Sequence, residues 1–228
     1  MTPLDQVARH YNRLAQTYDR RWATYTQHTL NRILEAIPLV GTERVLDVAC
    51  GTGELERLLR IQYPALTLVG IDVAPAMLAV ARHKLAGDPR VGLCLAPGEA
   101  LPFAGSRFDI VVWANALHHV REPRQVLREC ARVLRSEGRL LLLDWCLDFW
   151  HCRLLHAWLR LTDPTYVSMY RLTEVQAMLE PLGFTTVQAS RFLAPPAYGL
   201  FHLTARRQSG GAMSLSDPLQ DGGRPSPQ

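Results

Sequence analysis

Five short apolar runs, interleaved with helical patterns, constrain this chain more than any other feature. Arg44–Val48, Thr67–Asp72, Val91–Leu95, Phe108–Ala114 and Arg139–Asp144 read as strands. Glu54–Gln62, Pro75–Leu85 and Pro123–Arg135 read as helices between them, two with proline at the start, where its missing N–H costs nothing. The runs are continuously apolar rather than alternating, as expected when helices cover both faces of a sheet. Strand and helix in this rhythm imply right-handed βαβ units and a parallel sheet of the α/β class.

The rhythm is framed by less regular segments. Leu4–Ile37 is helical in character, with Leu14, Tyr18, Trp22 and Tyr25 on one face, and Pro38 and Gly41 end it. Residues 1–40 are therefore expected to form a helical cap and 41–207 the main domain. Residues 145–172, dense in tryptophan, tyrosine and histidine, read as an inserted lid of one or two helices. A helix over Thr173–Glu180, capped by Thr173, leads to closing strands near Thr185–Ser190 and Gly199–Arg206. Residues 208–228 are rich in Gly, Ser and Pro and are expected to be a disordered tail. With 228 residues, 48% hydrophobic and 20% charged, the composition is that of an ordinary globular domain. The net charge of +4 argues only weakly for nucleic acid. Neither a signal peptide nor a run of about 20 apolar residues is found, and the five cysteines lie mostly in apolar segments, so a cytoplasmic protein with reduced thiols is expected.

The stretch VLDVACGTGELERLL, 45–59, carries the chemistry. Gly51 and Gly53 fit the first two positions of a dinucleotide loop, but the third is Glu56, a poor neighbour for a pyrophosphate. No Gly-Lys-Ser/Thr follows, which excludes a phosphate loop of that kind. Asp47 lies inside the first strand, where a carboxylate needs a partner such as a ligand ammonium or the loop's own amides. Asp72 ends the second strand, 19 residues past Gly53 (72 − 53), where it can accept both hydroxyls of a ribose. An amino-acid end, a ribose and no phosphate describe S-adenosylmethionine.

Four motifs, VLDVACGTGELE, LVGIDVAPAMLAVAR, GEALPFAGSRFDIVVWANALHHV and REPRQVLRECARVLRSEGRLLLLD, stand in order. With them, the chain resembles the class I S-adenosylmethionine-dependent methyltransferases. It is most similar to their small-molecule branch, which includes the ubiquinone and menaquinone biosynthesis enzymes. The resemblance runs from about Tyr11 to Arg206. It implies a Rossmann-like three-layer sandwich with a seven-stranded, mostly parallel sheet in the order 3-2-1-4-5-7-6, strand 7 antiparallel. It also implies cofactor contacts from the loop residues Asp47, Ala49, Gly51, Thr52 and Gly53, from Asp72 on the ribose, and from Val73 and Met77 beside the adenine. Met77 could equally be core. Gly98, Glu99 and Ala100 would follow at the adenine edge, Asn115 at the methionine part, and Tyr18 above the methyl.

One departure from the family pattern concerns that adenine edge. Where the family commonly has Asp-Ala-Glu-x-Leu-Pro-Phe, this chain has Pro97-Gly98-Glu99-Ala100-Leu101-Pro102-Phe103, so the aspartate that accepts the adenine's exocyclic N–H is Pro97. Weaker cofactor binding than in relatives is expected. His118 and His119 are candidates for a general base, or for packing alone. Being adjacent, at most one should face the pocket, and His118 is preferred. His151, Cys152 and His156 lack further ligands, so no metal is expected. The acceptor should be a small hydrophobic or aromatic molecule, attacked at oxygen or carbon. Peripheral membrane contact is expected only if that acceptor is a lipid or quinone. The rival readings are a non-catalytic binding module, a nucleic-acid methyltransferase without its usual motifs, and, last, a nicotinamide oxidoreductase.

Overall fold

The computed structural model describes residues 2–37 and 39–209. Its elements are α1 (Pro3–Leu14), α2 (Tyr18–Ala36), β1 (Arg44–Val48), α3 (Glu54–Gln62), β2 (Thr67–Asp72), α4 (Pro75–Lys84), β3 (Val91–Leu95) and β4 (Phe108–Ala114). A single turn of 3₁₀ helix (Leu117–His119) precedes α5 (Pro123–Val133), β5 (Leu134–Trp145), α6 (Trp150–Thr162), α7 (Leu172–Leu179), β6 (Phe184–Ala194) and β7 (Tyr198–Arg207). The strands form one seven-stranded sheet in the order β3-β2-β1-β4-β5-β7-β6. β1 to β5 pair in parallel, and β7 runs antiparallel to both β5 and β6. This is the order and polarity that the family resemblance implies.

Strand alternation divides the core in two. Leu46, Val48, Val111 and Trp113 point to one face, where Val126, Leu127 and Cys130 of α5 and Val175 of α7 cover them. Val45, Ile110, Val112, Leu141 and Leu143 point to the other, under Tyr25, Leu30 and Ile33 of α2 and Leu55 and Leu59 of α3. Thus α2 closes the same core as the sheet rather than standing apart from it.

Several boundaries differ from expectation for identifiable reasons. The first helical segment breaks at 15–17, where the Thr17 amide and hydroxyl both turn back to the Leu14 carbonyl. β5 starts at Leu134, not Arg139. Gly138 is not a stop: it lies in the strand, where a Cβ would press on the carbonyls of Arg135 at 2.8 Å and Asp109 at 3.1 Å. α7 starts one residue early, with Arg171 rather than Thr173 at its N-cap, and the Glu174 carboxylate accepts the Arg171 amide at 2.7 Å. Segment 145–172 holds one helix, α6, and an extended return. Pro38 and the expected tail beyond Ser209 lie outside the described residues.

All five thiols are free, and burial pushes Cys130 up to about 12 and Cys146 to about 11. Leu46 is fully buried at the centre of the sheet. Leu46→Ala should lower the unfolding free energy by about 2–5 kcal/mol, read as a fall in the urea midpoint with the slope unchanged.

Candidate functional site

The strand order reverses between β1 and β4: β1 continues to β2 on one side and β4 to β5 on the other. At such a switch point the two loops leave the sheet in opposite directions and open a crevice beyond the strands' carboxyl ends. A cavity of about 330 Å³ lies there, walled by the loops after β1, β2, β3 and β4 and roofed by α1 and the start of α2.

The loop after β1 is pinned by backbone. The Cys50 amide donates to the Ile71 carbonyl at 2.9 Å and the Gly53 amide to the Cys50 carbonyl at 3.0 Å. Gly51 (φ 56°) and Gly53 (φ 74°) take left-handed conformations, as does Ala49 at φ 64°. A Cβ on Gly51 would meet nothing within 4 Å, so that backbone fronts open space. Gly53 does not line the cavity. It forms the left-handed entry to α3 and packs against α4, where a Cβ would sit 3.0 Å from that of Ala81.

Asp72 ties this loop to β2. Its two oxygens accept the Gly51 amide at 2.9 Å and the Ala74 amide at 2.8 Å. A carboxylate has about four acceptor positions, so these amides leave part of its capacity open on the cavity side. Burial raises its pKa, and the amides of Ala74 and Gly51 oppose that. Asp47 is also buried and lines the cavity, but no donor among the described residues reaches its carboxylate. Burial, then the neighbouring Glu56 and Asp72, push it well above the carboxylate range.

Glu56 is the less expected member of this group. It is buried beneath the loop with neither oxygen bonded. Gly70 makes the room: a Cβ there would collide with Glu56 Oε1 and come within 2.7 Å of Cys50 Sγ. Burial raises Glu56 from 4.5 to about 7.

Other expected residues fall around the same space. Ala49, Thr52, Val73, Met77, Gly98 and Glu99 line it, and Met77 also packs in a small core with Ala15 and Ala74. Gly98 is held tightly, since a Cβ would lie 3.2 Å from both Val48 and Val126. Ala100 faces away; its amide closes a turn onto the Pro97 carbonyl at 3.3 Å. Asn115 lines the cavity in a left-handed conformation (φ 57°), but α2 occupies its side chain. Its Oδ1 accepts from the Tyr25 hydroxyl at 2.8 Å and its Nδ2 donates to Thr29 at 3.0 Å.

The histidines separate, and it is His119, not the preferred His118, that faces the cavity. His118 does not line the cavity. Its Nδ1 bonds the buried Asp144 carboxylate at 2.6 Å and its ring stacks on Trp145 with centroids 4.3 Å apart. His119 does line it. Its Nδ1 lies 2.8 Å from the Thr165 carbonyl, which can only accept, so the proton is on Nδ1. Nε2 therefore accepts from the Tyr11 hydroxyl at 2.6 Å. Burial, then the charge of His118, lowers His119 to about 3, so it is neutral at physiological pH.

Of the residues in the roof, sequence reasoning named Tyr18 as a site residue but none from α1. Thr2, the N-cap of α1, and Pro3, Leu4, Val7 and Tyr11 of that helix line the cavity beside Tyr18. α1 is fastened by Asn12, whose Oδ1 accepts the Ala76 amide at 2.9 Å and so caps α4, which has no capping side chain of its own. Asp19 fastens α2 to the loop, accepting from Thr52 at 2.5 Å and pairing with Lys84 at 2.8 Å. The seven-residue spacing of Tyr11 and Tyr18 was the available signal.

Residues 46–142 match a family described as "Methyltransferase domain". A demethylmenaquinone methyltransferase of Thermotoga maritima is 37% identical over 139 residues, covering 59% of this chain and 59% of the relative. A ubiquinone/menaquinone biosynthesis C-methyltransferase of Geobacter sulfurreducens is 36% identical over 131 residues, covering 56% and 48%. The chain thus spans about half to three-fifths of the length of these curated relatives. The YcgJ protein of Bacillus subtilis shares the fold with a TM-score of 0.69 at 22% identity, over 81% of this chain and 100% of that one.

Glu56 carries a pH prediction. A carboxyl raised by folding keeps its proton longer in the folded state. Its stabilising contribution is complete below about 4.5 and is lost as pH rises through about 7. The swing is at most about 3 kcal/mol. The melting temperature of the parent relative to Glu56→Gln should fall as pH rises from 5 to 8 in thermal scans, a difference from which the opposing contributions of His119 and His202 cancel.

Proposed function

For a chain that carries a methyltransferase domain over residues 46–142, we infer that the cavity binds S-adenosylmethionine and that the protein methylates a small apolar acceptor of the quinol or phenol type. The unpartnered Asp47 carboxyl, buried and facing the cavity, carries this reading, because it suits a ligand ammonium and repels a phosphate. The names of the quinone-biosynthesis relatives support the acceptor class.

Bound there, S-adenosylmethionine would supply a methyl group made electrophilic by its sulfonium. Asp47 would hold the ammonium, directly or through water, and Asp72 the ribose hydroxyls with its free acceptor positions. Gly51 lets the backbone come close to the amino-acid end. Val73, Met77 and Gly98 border the adenine pocket, with Glu99 as the remaining acceptor where Pro97 has none. Val7, Tyr11 and Tyr18 exclude water from the reacting centre, so that positioning supplies much of the rate. His119, locked in one tautomer by Thr165, offers Nε2 to an acceptor hydroxyl that displaces Tyr11. It orients that oxygen and receives its proton as the new bond forms.

Calorimetric titration with S-adenosylmethionine and S-adenosylhomocysteine, with NADH as control, tests the donor. Both sulfur ligands should bind and NADH should not. Asp72→Ala should weaken binding by about 10–100-fold, the worth of charged hydrogen bonds. Pro97→Asp should tighten it by up to about tenfold if an adenine acceptor is missing. Absence of binding to either sulfur ligand would overturn the reading and favour a non-catalytic role.

His119→Gln should leave cofactor affinity unchanged and lower kcat with a quinol acceptor by about 100-fold. An unchanged kcat would assign His119 to packing.

A further inference from the structure

Helix α6 turns an apolar face to solvent. On its inner side Cys152 and Leu159 are buried against Tyr166 and Met169. On its outer side Trp150, Leu154, Trp158 and Leu161 are 72%, 66%, 59% and 88% exposed. Positions i, i+4, i+8 and i+11 fall in one stripe, about 16 Å long at 1.5 Å per residue. Singly exposed apolar residues are ordinary on a protein surface, whereas a continuous ridge of two tryptophans and two leucines marks a contact site.

The charges beside the ridge indicate what it meets. Arg153 and Arg160 are exposed along one flank, and α6 (WHCRLLHAWLRLT) contains neither Asp nor Glu. Neither arginine is in an ion pair among the described residues. We propose that α6 docks on the surface of a bilayer containing anionic lipid, with its tryptophans and leucines at the headgroup–acyl boundary and its arginines on the phosphates. Tryptophan suits that depth because its ring is apolar and its N–H polar. An outward apolar stripe flanked by basic residues is the pattern of a helix lying in the interface plane. A second copy of the chain fits less well, since a two-fold pairing of this ridge would bring four arginines together with no acid on either helix.

The docking face connects to the cavity. The inner side of α6 packs on Tyr166, the neighbour of Thr165, whose carbonyl fixes His119. Docking would therefore hold that cavity wall against the membrane, where an apolar acceptor is concentrated. The proposal stands on α6 and does not depend on methyl transfer.

Sedimentation of the full chain with phosphatidylcholine vesicles, and with vesicles one-third phosphatidylglycerol, tests it without cofactor or acceptor. Binding to the anionic vesicles is expected, with a blue shift of tryptophan emission and weakening in high salt. The double variant Trp158→Ser/Leu161→Ser should lose about tenfold or more in partitioning. Arg153→Gln/Arg160→Gln should lose binding to anionic vesicles selectively, and keeps the test open if the first variant does not fold. Failure of the parent chain to bind either vesicle would overturn the proposal. So would unchanged partitioning of both variants, or a parent dimer that Trp158→Ser/Leu161→Ser converts to a monomer.

Discussion

The carboxylate of Asp72 is the joint on which the site depends. By accepting the Gly51 and Ala74 amides, it ties the turn after β1 to the end of β2 and sets the mouth of the cavity. Each amide would otherwise be a buried donor without a partner, at a cost of about 1–3 kcal/mol. The turn also holds Ala49 in a left-handed conformation that non-glycine residues seldom adopt, so its shape is maintained by surrounding bonds rather than by local preference.

Asp72 does this in crowded company. Asp47 and Glu56 are both buried nearby, and both are raised by that burial. Three carboxyls so placed cannot all ionise without a counter-charge, and Lys84 is committed to Asp19 and Glu54. The site is therefore electrostatically unfavourable as it stands, and a cation entering beside Asp47 would relieve it. Strain of this kind is expected where a fold serves binding rather than stability.

Much of this was legible in the sequence. β1, β2, β3, β4 and α3 begin and end where the apolar runs and the glycine turn indicate, because local pattern and tertiary burial agree there. Asp47 and Asp72 stood out because a carboxylate at a buried strand end needs a reason. What was not legible lies where long-range contacts decide. Nothing near His118 in sequence reveals that Asp144 would take it and leave His119 to the cavity. Nothing near Asn115 shows that Tyr25 and Thr29 would occupy its side chain. The burial of Glu56 required knowing that Gly70 lies across from it.

The roof follows the same logic. No residue of α1 is buried, so packing alone gives that helix little reason to stay. Asn12 capping α4, and Tyr11 bonding His119, are the polar contacts that attach it. Both are made through single side chains to groups across the cavity mouth. Each is worth about 1 kcal/mol, and the Tyr11 ring adds packing on Ala15, Ala74 and Met77 and ring contacts with Tyr18 and His119. The bond that shields His119 in this structure is thus also the one an acceptor hydroxyl would replace. If His119 acts as proposed, closing the cavity and presenting the base would be a single exchange at Nε2.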